Sequence, residues 1–383
     1  MAAVAAWGVF FVANAQRIDV VPFFNDLRRL YHVDYAGVGG LLSAYLLGYV
    51  LAQIPAGLAA DNLPARRVTI TGLAAMAVAS TLFGLTASYR TALVLRFLMG
   101  IAAAGLYSST VKLMLGTAAN RGAVMGMLQS GVGAGTVAAL FLMPLAAESA
   151  GVSMVFLAPA AATVIVLAGA GLWLPPGAPR RAAAAESPLR QIAGIAGQRA
   201  FRYLSGSVFL ALFSAYGITA WLPTYLANVF GFGRTAAGGL VAVVNVALLA
   251  ASPVAGALSD RVGARAPVIL AGFAGLVASF ALLAGVRAPA GIVVSTVLAG
   301  TGLALTLPIL TALTTELFGI ERAGVAISLN LAVGQVASTI SGVLFGYVLD
   351  LTRNFTVVWL LGLALALAGL VPASGLRRIE RAA

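Results

Sequence analysis

The chain has 383 residues, 61% of them apolar and only 9% charged, with a formal net charge of +12. A water-soluble protein of this length needs a charged surface that 23 basic and 11 acidic residues cannot cover, so lipid is the solvent for much of it. The basic residues lie between apolar stretches, as in the cytoplasmic loops of membrane proteins, and not along a face suited to nucleic acid, while the lack of cysteine excludes disulfides, thiolate metal sites and a Cys nucleophile.

A bilayer core asks for about 20 apolar residues per spanning helix. Breaks at Pro, Gly and Arg clusters predict twelve such helices, over 3–24, 37–60, 67–88, 92–117, 122–147, 152–174, 203–229, 235–258, 266–286, 289–317, 323–349 and 354–374. The fold class expected is therefore an all-α membrane protein. The first span begins without a basic n-region or a cleavage site, so it is expected to be retained.

In the first span Asn14, Gln16, Arg17 and Asp19 interrupt an oily run. A charge near mid-membrane costs on the order of 3 kcal/mol or more, so an ionisable group at that depth is read as functional. The planar fork of Arg17 suits a carboxylate; the alternative is that it pairs with a helix end or Asp19 and holds the bundle. Residues two apart lie on different helix faces, which makes Asp19 an awkward partner within the helix.

The second span carries Tyr45 and Tyr49, and Asp61, Arg66 and Arg67 follow it. The fourth has Arg96 near its start and Lys112, the chain's single lysine, one turn beyond Ser108 and near Tyr107. Both cations have a plain alternative, snorkelling to the nearer interface. In the fifth, Gln129 precedes Gly131, Gly133 and Gly135, which lack a preceding strand and point to close helix packing instead of a nucleotide loop. A Pro- and Arg-containing stretch over 175–202 separates six spans from six, giving an N-terminal bundle over 1–174 and a C-terminal bundle over 203–383; Pro188–Tyr203 has the makings of an amphipathic surface helix. The second half offers Tyr216, Asn245, Asn330 and Gln335, with Asp260, Arg261 and Arg265 after the eighth span. Each polar residue has interhelical hydrogen bonding as its alternative. His32 reads as a loop residue, and no metal or cofactor is expected.

With the N-terminus inside, fourteen arginines fall in cytoplasmic segments against six outside, so both termini are expected in the cytoplasm. The halves repeat: Pro22 and Pro223, Arg121 and Arg322, Gln129 and Asn330, and Gly133 and Gly334 are each 201 positions apart. Duplicated six-helix halves are the architecture of a rocking transporter.

Gly57-Leu58-Ala59-Ala60-Asp61 leading to Arg66-Arg67, and Gly256-Ala257-Leu258-Ser259-Asp260-Arg261-Val262-Gly263 leading to Arg265, resemble the signature loop of the major facilitator superfamily, and the resemblance covers the whole chain. The first copy departs from it at Asn62, Pro64 and Ala65. The resemblance implies two pseudo-symmetric six-helix bundles and a gating role for Asp61, Arg66, Arg67, Asp260, Arg261, Arg265 and Arg96, the last in a further family motif. Ser43 to Gly57 looks like the anion:cation symporter branch, and Trp221-Leu222-Pro223-Thr224-Tyr225 is similar to cyanate-permease-like members. In the symporter branch an Asp commonly precedes the first-helix Arg, where this chain has Gln16.

The spans offer no His, no Cys and few carboxylates, which excludes an enzyme's nucleophile, acid-base pair or metal cluster. Two repeated halves favour alternating access over a channel or receptor. The expected function is secondary transport of a small organic anion such as a carboxylate, in a bacterial inner membrane, with a proton or cation as co-substrate. Arg17, Tyr45, Tyr49, Lys112, Gln129, Tyr216, Asn245, Asn330 and Gln335 are the candidate substrate contacts and Asp19 the coupling candidate. The alternative is export of an uncharged or amphipathic compound. A monomer in the lipid bilayer is the expected unit.

Overall fold

The computed structural model describes residues 1–117, 121–176, 192 and 194–380, and among these there are helices and no strands. Among the described residues, eleven helices are long and apolar enough to cross a membrane. The chain divides into two compact units, Met1–Ala183 with Leu226–Gly239, and Ala184–Tyr225 with Leu240–Ala383.

The first unit opens with α1 (Ala2–Ile18), which breaks at Asp19 and resumes through a 3-10 turn (Val21–Phe23) into α2 (Phe24–Tyr31). Pro22 explains the break, because its nitrogen carries no hydrogen and its ring crowds the carbonyl four residues back, at Ile18. Then come α3 (Tyr35–Asn62), started by the Asp34 carboxylate accepting from the Gly37 amide at 2.7 Å, α4 (Ala65–Leu85) and α5 (Tyr89–Thr117). α3 packs on α5 backbone to backbone: a Cβ on Gly100 would lie 1.9 Å from the Tyr45 carbonyl oxygen, and one on Gly48 would lie 2.1 Å from that of Phe97.

The expected fifth span is α6 (Arg121–Val137), a π-helical turn (Ala138–Leu142) and α7 (Met143–Ala150) in succession. Pro144 cannot donate to the Leu140 carbonyl, which is one reason the helix widens there. Gly131 and Gly135 bring this helix against the α1 backbone, at Trp7 and Phe11. The sixth span is the one that departs most from expectation. It consists of a single turn, α8 (Val152–Val155), and then α9 (Leu157–Trp173). At 1.5 Å per residue α9 rises about 26 Å, just short of the roughly 30 Å hydrocarbon core.

A hairpin tip from the second half of the chain belongs to this unit. Asn25 Nδ2 donates to Asn228 Oδ1 at 2.7 Å, Asn228 Nδ2 donates to the Tyr35 hydroxyl at 3.0 Å, and Thr235 Oγ1 donates to Glu148 Oε1 at 2.6 Å. Arg234 pairs with Asp26, and the Leu140 carbonyl oxygen sits 1.7 Å from where a Cβ on Gly238 would be.

The second unit is built on α10 (Arg199–Phe230) and α11 (Arg234–Val262), whose outer ends form that tip, with α12 (Ala266–Gly285) and α14 (Phe355–Glu380). Between the last two, α13 (Pro289–Thr352) holds two spans that meet at Gly319, where φ is +69°. Tyr225, Phe280, Phe345 and Trp359 form a buried aromatic core, with Trp359 5.3 Å from Tyr225 and 6.3 and 6.4 Å from the two phenylalanines. Of the expected amphipathic helix at Pro188–Tyr203, residues 188–191 and 193 lie outside the described residues, as do Arg180 and Arg181, while Arg199–Tyr203 is the start of α10.

Candidate functional site

The break in α1 places two arginines in contrasting surroundings. Arg96, on α5, is 0% exposed and Asp19 1%, so Arg96 does not snorkel to an interface. Its Nη1 donates to Asp19 Oδ1 and to the Gln16 carbonyl, both at 2.8 Å, its Nη2 to the Arg17 carbonyl at 3.2 Å and its Nε to the Leu41 carbonyl at 3.2 Å. Its Cζ lies 5.0 Å from the ring centre of Tyr45 and 5.4 Å from that of Phe83. The pair that sequence spacing makes awkward within one helix is thus met from another helix.

Arg17 is only half-buried, and its Cζ sits 5.3 Å from the ring centre of Tyr49. Tyr45 and Tyr49, one helical turn apart on α3, therefore face one arginine each. Tyr45 is fully buried and donates its hydroxyl to the Ala13 carbonyl at 2.9 Å, whereas Tyr49 is half-buried. Tyr107, 43% exposed, packs its ring tilted against Phe10 at 5.0 Å, and the next residue, Ser108, has a buried hydroxyl with no hydrogen-bond partner among the described residues. The buried Gln53 Oε1, one turn past Tyr49, is likewise unsatisfied. Lys112 is half-buried. Arg17 is thus a partly accessible guanidinium against an aromatic face, and the Ser108 hydroxyl is a further donor on the first unit, groups able to meet a small anion.

Gln16, one of the polar interruptions of the first span, is fully buried and donates to the Pro159 carbonyl at 3.0 Å and to Thr163 at 2.5 Å, tying α1 to α9. Its position in the symporter-branch comparison therefore corresponds to a packing contact. Gln129 is exposed, and Trp7 donates to the neighbouring Ser130 at 3.1 Å.

In the second unit Tyr216, Asn245 and Gln335 are half-buried, and Asn245 reaches its own helix at the Val241 carbonyl. Asn330 is 4% exposed, accepting from Ser205 at 2.6 Å and donating to Thr314 at 3.2 Å. Gln129 and Asn330 therefore match in sequence offset and differ in environment.

At the far end of α11, Arg265 joins Asp260 at 2.6 Å, Glu316 at 2.8 Å and the Ser259 hydroxyl at 2.9 Å. Glu316 and then Asp260 push the Arg265 pKa still higher than its ordinary value through their hydrogen bonds. Glu380, from the end of α14, accepts from the backbone amides of Arg265 and Ala266 at 2.6 and 2.9 Å, capping α12. Arg261 is exposed. In the first copy of the loop Arg66 donates to the Gly171 carbonyl and Arg67 is exposed, while the side chain of Asp61 lies outside the described residues.

Helical units of this kind, with paired signature loops and a buried Arg96–Asp19 pair inside the first, define a polytopic membrane protein. The family model of the Major Facilitator Superfamily matches residues 3–249 and 204–382, and the chain belongs to that family. It is 32% identical over 145 residues to the multidrug resistance protein Stp of Mycobacterium tuberculosis, covering 37% of this chain and 27% of that protein. It is 23% identical over 382 residues to the probable sulfoacetate transporter SauU of Cupriavidus necator, covering 93% and 89%. Among solved structures it resembles the nucleoside transporter NupG with a TM-score of 0.81 at 14% identity, over 98% of this chain and 100% of that one. The likeness to solved structures shows the fold, and the chain spans about a quarter of the length of the Mycobacterium relative it matches.

Proposed function

We propose that the chain is a secondary active transporter of a small organic anion, working by alternating access. The observation that carries this reading is the half-buried Arg17 guanidinium beside Tyr49, set at membrane depth where an ionised group is costly unless it is used. The nearly full-length similarity to a probable sulfoacetate transporter supports an anionic substrate. Tyr49, Lys112 and Gln129 complete the first unit's contribution. Tyr45 acts from beneath as a buried support. Tyr216, Asn245 and Gln335 are the second unit's contribution, and Asn330 holds its helices. Asp19 is the coupling candidate for a proton or cation, and Arg96 shares its charge. Asp260, Arg261 and Arg265, with the first-copy counterparts Asp61, Arg66 and Arg67, form the gating loops. Both termini lie in the cytoplasm of an inner-membrane protein.

Purified protein titrated with sulfoacetate and small carboxylates tests this reading. A charge-assisted contact contributes on the order of 1.5–3 kcal/mol, so Arg17→Ala should bind roughly ten- to a hundredfold more weakly. Arg17→Lys should recover little, since an ammonium keeps the charge without the planar fork. Folded Arg17→Ala with unchanged anion affinity would rule the assignment out. The similarity to a multidrug resistance protein favours a second reading, export of an uncharged or amphipathic compound, for which Arg17 substitutions would leave affinity intact.

A further inference from the structure

The break in α1 creates a local problem whose solution bears on Arg17. The last four carbonyls of any α-helix lack partners within it, and in hydrocarbon each must find one elsewhere. With Asp19 as the C-cap these belong to Gln16, Arg17, Ile18 and Asp19, and Pro22 has no amide hydrogen to offer the Ile18 carbonyl. Arg96 supplies donors to two of the four, at Gln16 and Arg17, adds Leu41 on α3, and neutralises its own charge on Asp19, the residue that terminates the helix. Four donor contacts thus converge from one guanidinium that has no exposed surface.

We propose that Arg96 is a positioning residue: it caps the broken end of α1 through the main chain of Gln16 and Arg17 and thereby fixes the direction in which the Arg17 side chain leaves the helix. The two arginines divide the labour. Arg96 is fully committed to protein atoms and never meets the substrate, while Arg17, with its own carbonyl held by Arg96, presents its fork beside Tyr49. The inference rests on Arg17 being the anion contact. It explains why an arginine and not a lysine stands at 96, because one ammonium nitrogen cannot reach carbonyls on two helices and a carboxylate at once.

The test is Arg96→Lys in the full chain, followed by amide hydrogen exchange and by titration with sulfoacetate. Exchange across residues 14–24 should quicken at least tenfold while the other spans keep their protection, and anion affinity should fall at least tenfold although the charge is conserved. Unchanged exchange over 14–24 would overturn the cap. Faster exchange throughout the bundle would make Arg96 a general structural residue and overturn it equally. Local loosening with wild-type affinity would show that the cap does not position Arg17. If wild-type protein binds none of the anions offered, the anion reading and with it the positioning role fail, while exchange still decides whether Arg96 caps α1. Should Arg96→Lys not fold, the charge-neutral pair Arg96→Gln with Asp19→Asn carries the same two measurements.

Discussion

Arg234 grips Asp26 with two parallel hydrogen bonds, Nε to Oδ2 at 2.9 Å and Nη2 to Oδ1 at 3.1 Å, and so pins the α10–α11 hairpin tip to the first unit. The fork geometry is the strong form of this pair, but the arginine side chain is 37% exposed, which limits its net contribution to on the order of 1 kcal/mol. Arg234→Asp should therefore speed amide exchange over residues 226–239 several-fold, and adding Asp26→Arg should restore protection. A swap that restores nothing would mean that Asn228, Thr235 and the Gly238 contact hold the tip without the charges.

The Arg265 cluster predicts a different kind of defect. Its acidic partners are well exposed, Asp260 at 69% and Glu316 at 49% of their side chains, so removing either charge should cost less than about 1 kcal/mol of stability. Asp260→Asn and Glu316→Gln should instead slow transport in proteoliposomes while leaving anion affinity close to wild type, because contacts at a helix end bias an equilibrium between states without touching substrate. A variant that transports at the normal rate, or that loses only affinity, contradicts a gating role. Glu380→Ala should weaken the cap on α12 by roughly 0.5–2 kcal/mol, the range for losing a helix-capping acceptor, readable as a lower transition temperature.

Much of this was legible in the sequence because membrane spans announce themselves by length and oiliness, and the signature loop named Asp260 and Arg265 directly. What was not legible depended on which helix lies against which. Arg96 read equally well as a snorkelling residue until α1 and α3 were found around it. The matched offsets of Gln129 and Asn330 suggested equivalent roles, yet one is exposed and the other is enclosed by Ser205 and Thr314. Glu316 and Glu380 carry no local pattern, since each is a single carboxylate near a helix end whose partner lies 51 and 115 residues away. The shortness of α9 was hidden because Phe156 is as apolar as its neighbours and composition does not register a turn.

Orientation can be checked with single cysteines, the chain having none of its own. Arg67 and Arg261 are exposed at ends expected in the cytoplasm, and Arg29 and Arg353 are exposed at ends expected outside. Cysteines at 67 and 261 should be protected from a membrane-impermeant maleimide in intact cells, and those at 29 and 353 should react. Labelling at 67 or 261 from outside would invert the layout and move Arg265 to the opposite face.

Glycine substitutions where α3 meets α5 separate packing from chemistry. A Cβ at Gly100 would come within 1.9 Å of the Tyr45 carbonyl oxygen and one at Gly48 within 2.1 Å of the Phe97 carbonyl oxygen, and in both cases the obstacle is backbone, which cannot rotate aside. Gly100→Ala or Gly48→Ala must therefore push the helices apart, at about 1–3 kcal/mol for ordinary overpacking. The displacement would act on α3 at Tyr45 and Tyr49, the rings facing Arg96 and Arg17, so anion affinity should fall together with the transition temperature. Gly57→Ala is the control. It lies on the same helix, nothing stands within 4 Å of its added carbon, and replacing a helical glycine with alanine is worth up to about 1 kcal/mol in helix propensity. Gly57→Ala should match or exceed the wild-type transition temperature and bind normally. If Gly100→Ala proves as stable as Gly57→Ala, the two helices do not approach as closely as the Tyr45 contact requires, and the pairing of each tyrosine with its own arginine would have to be redrawn.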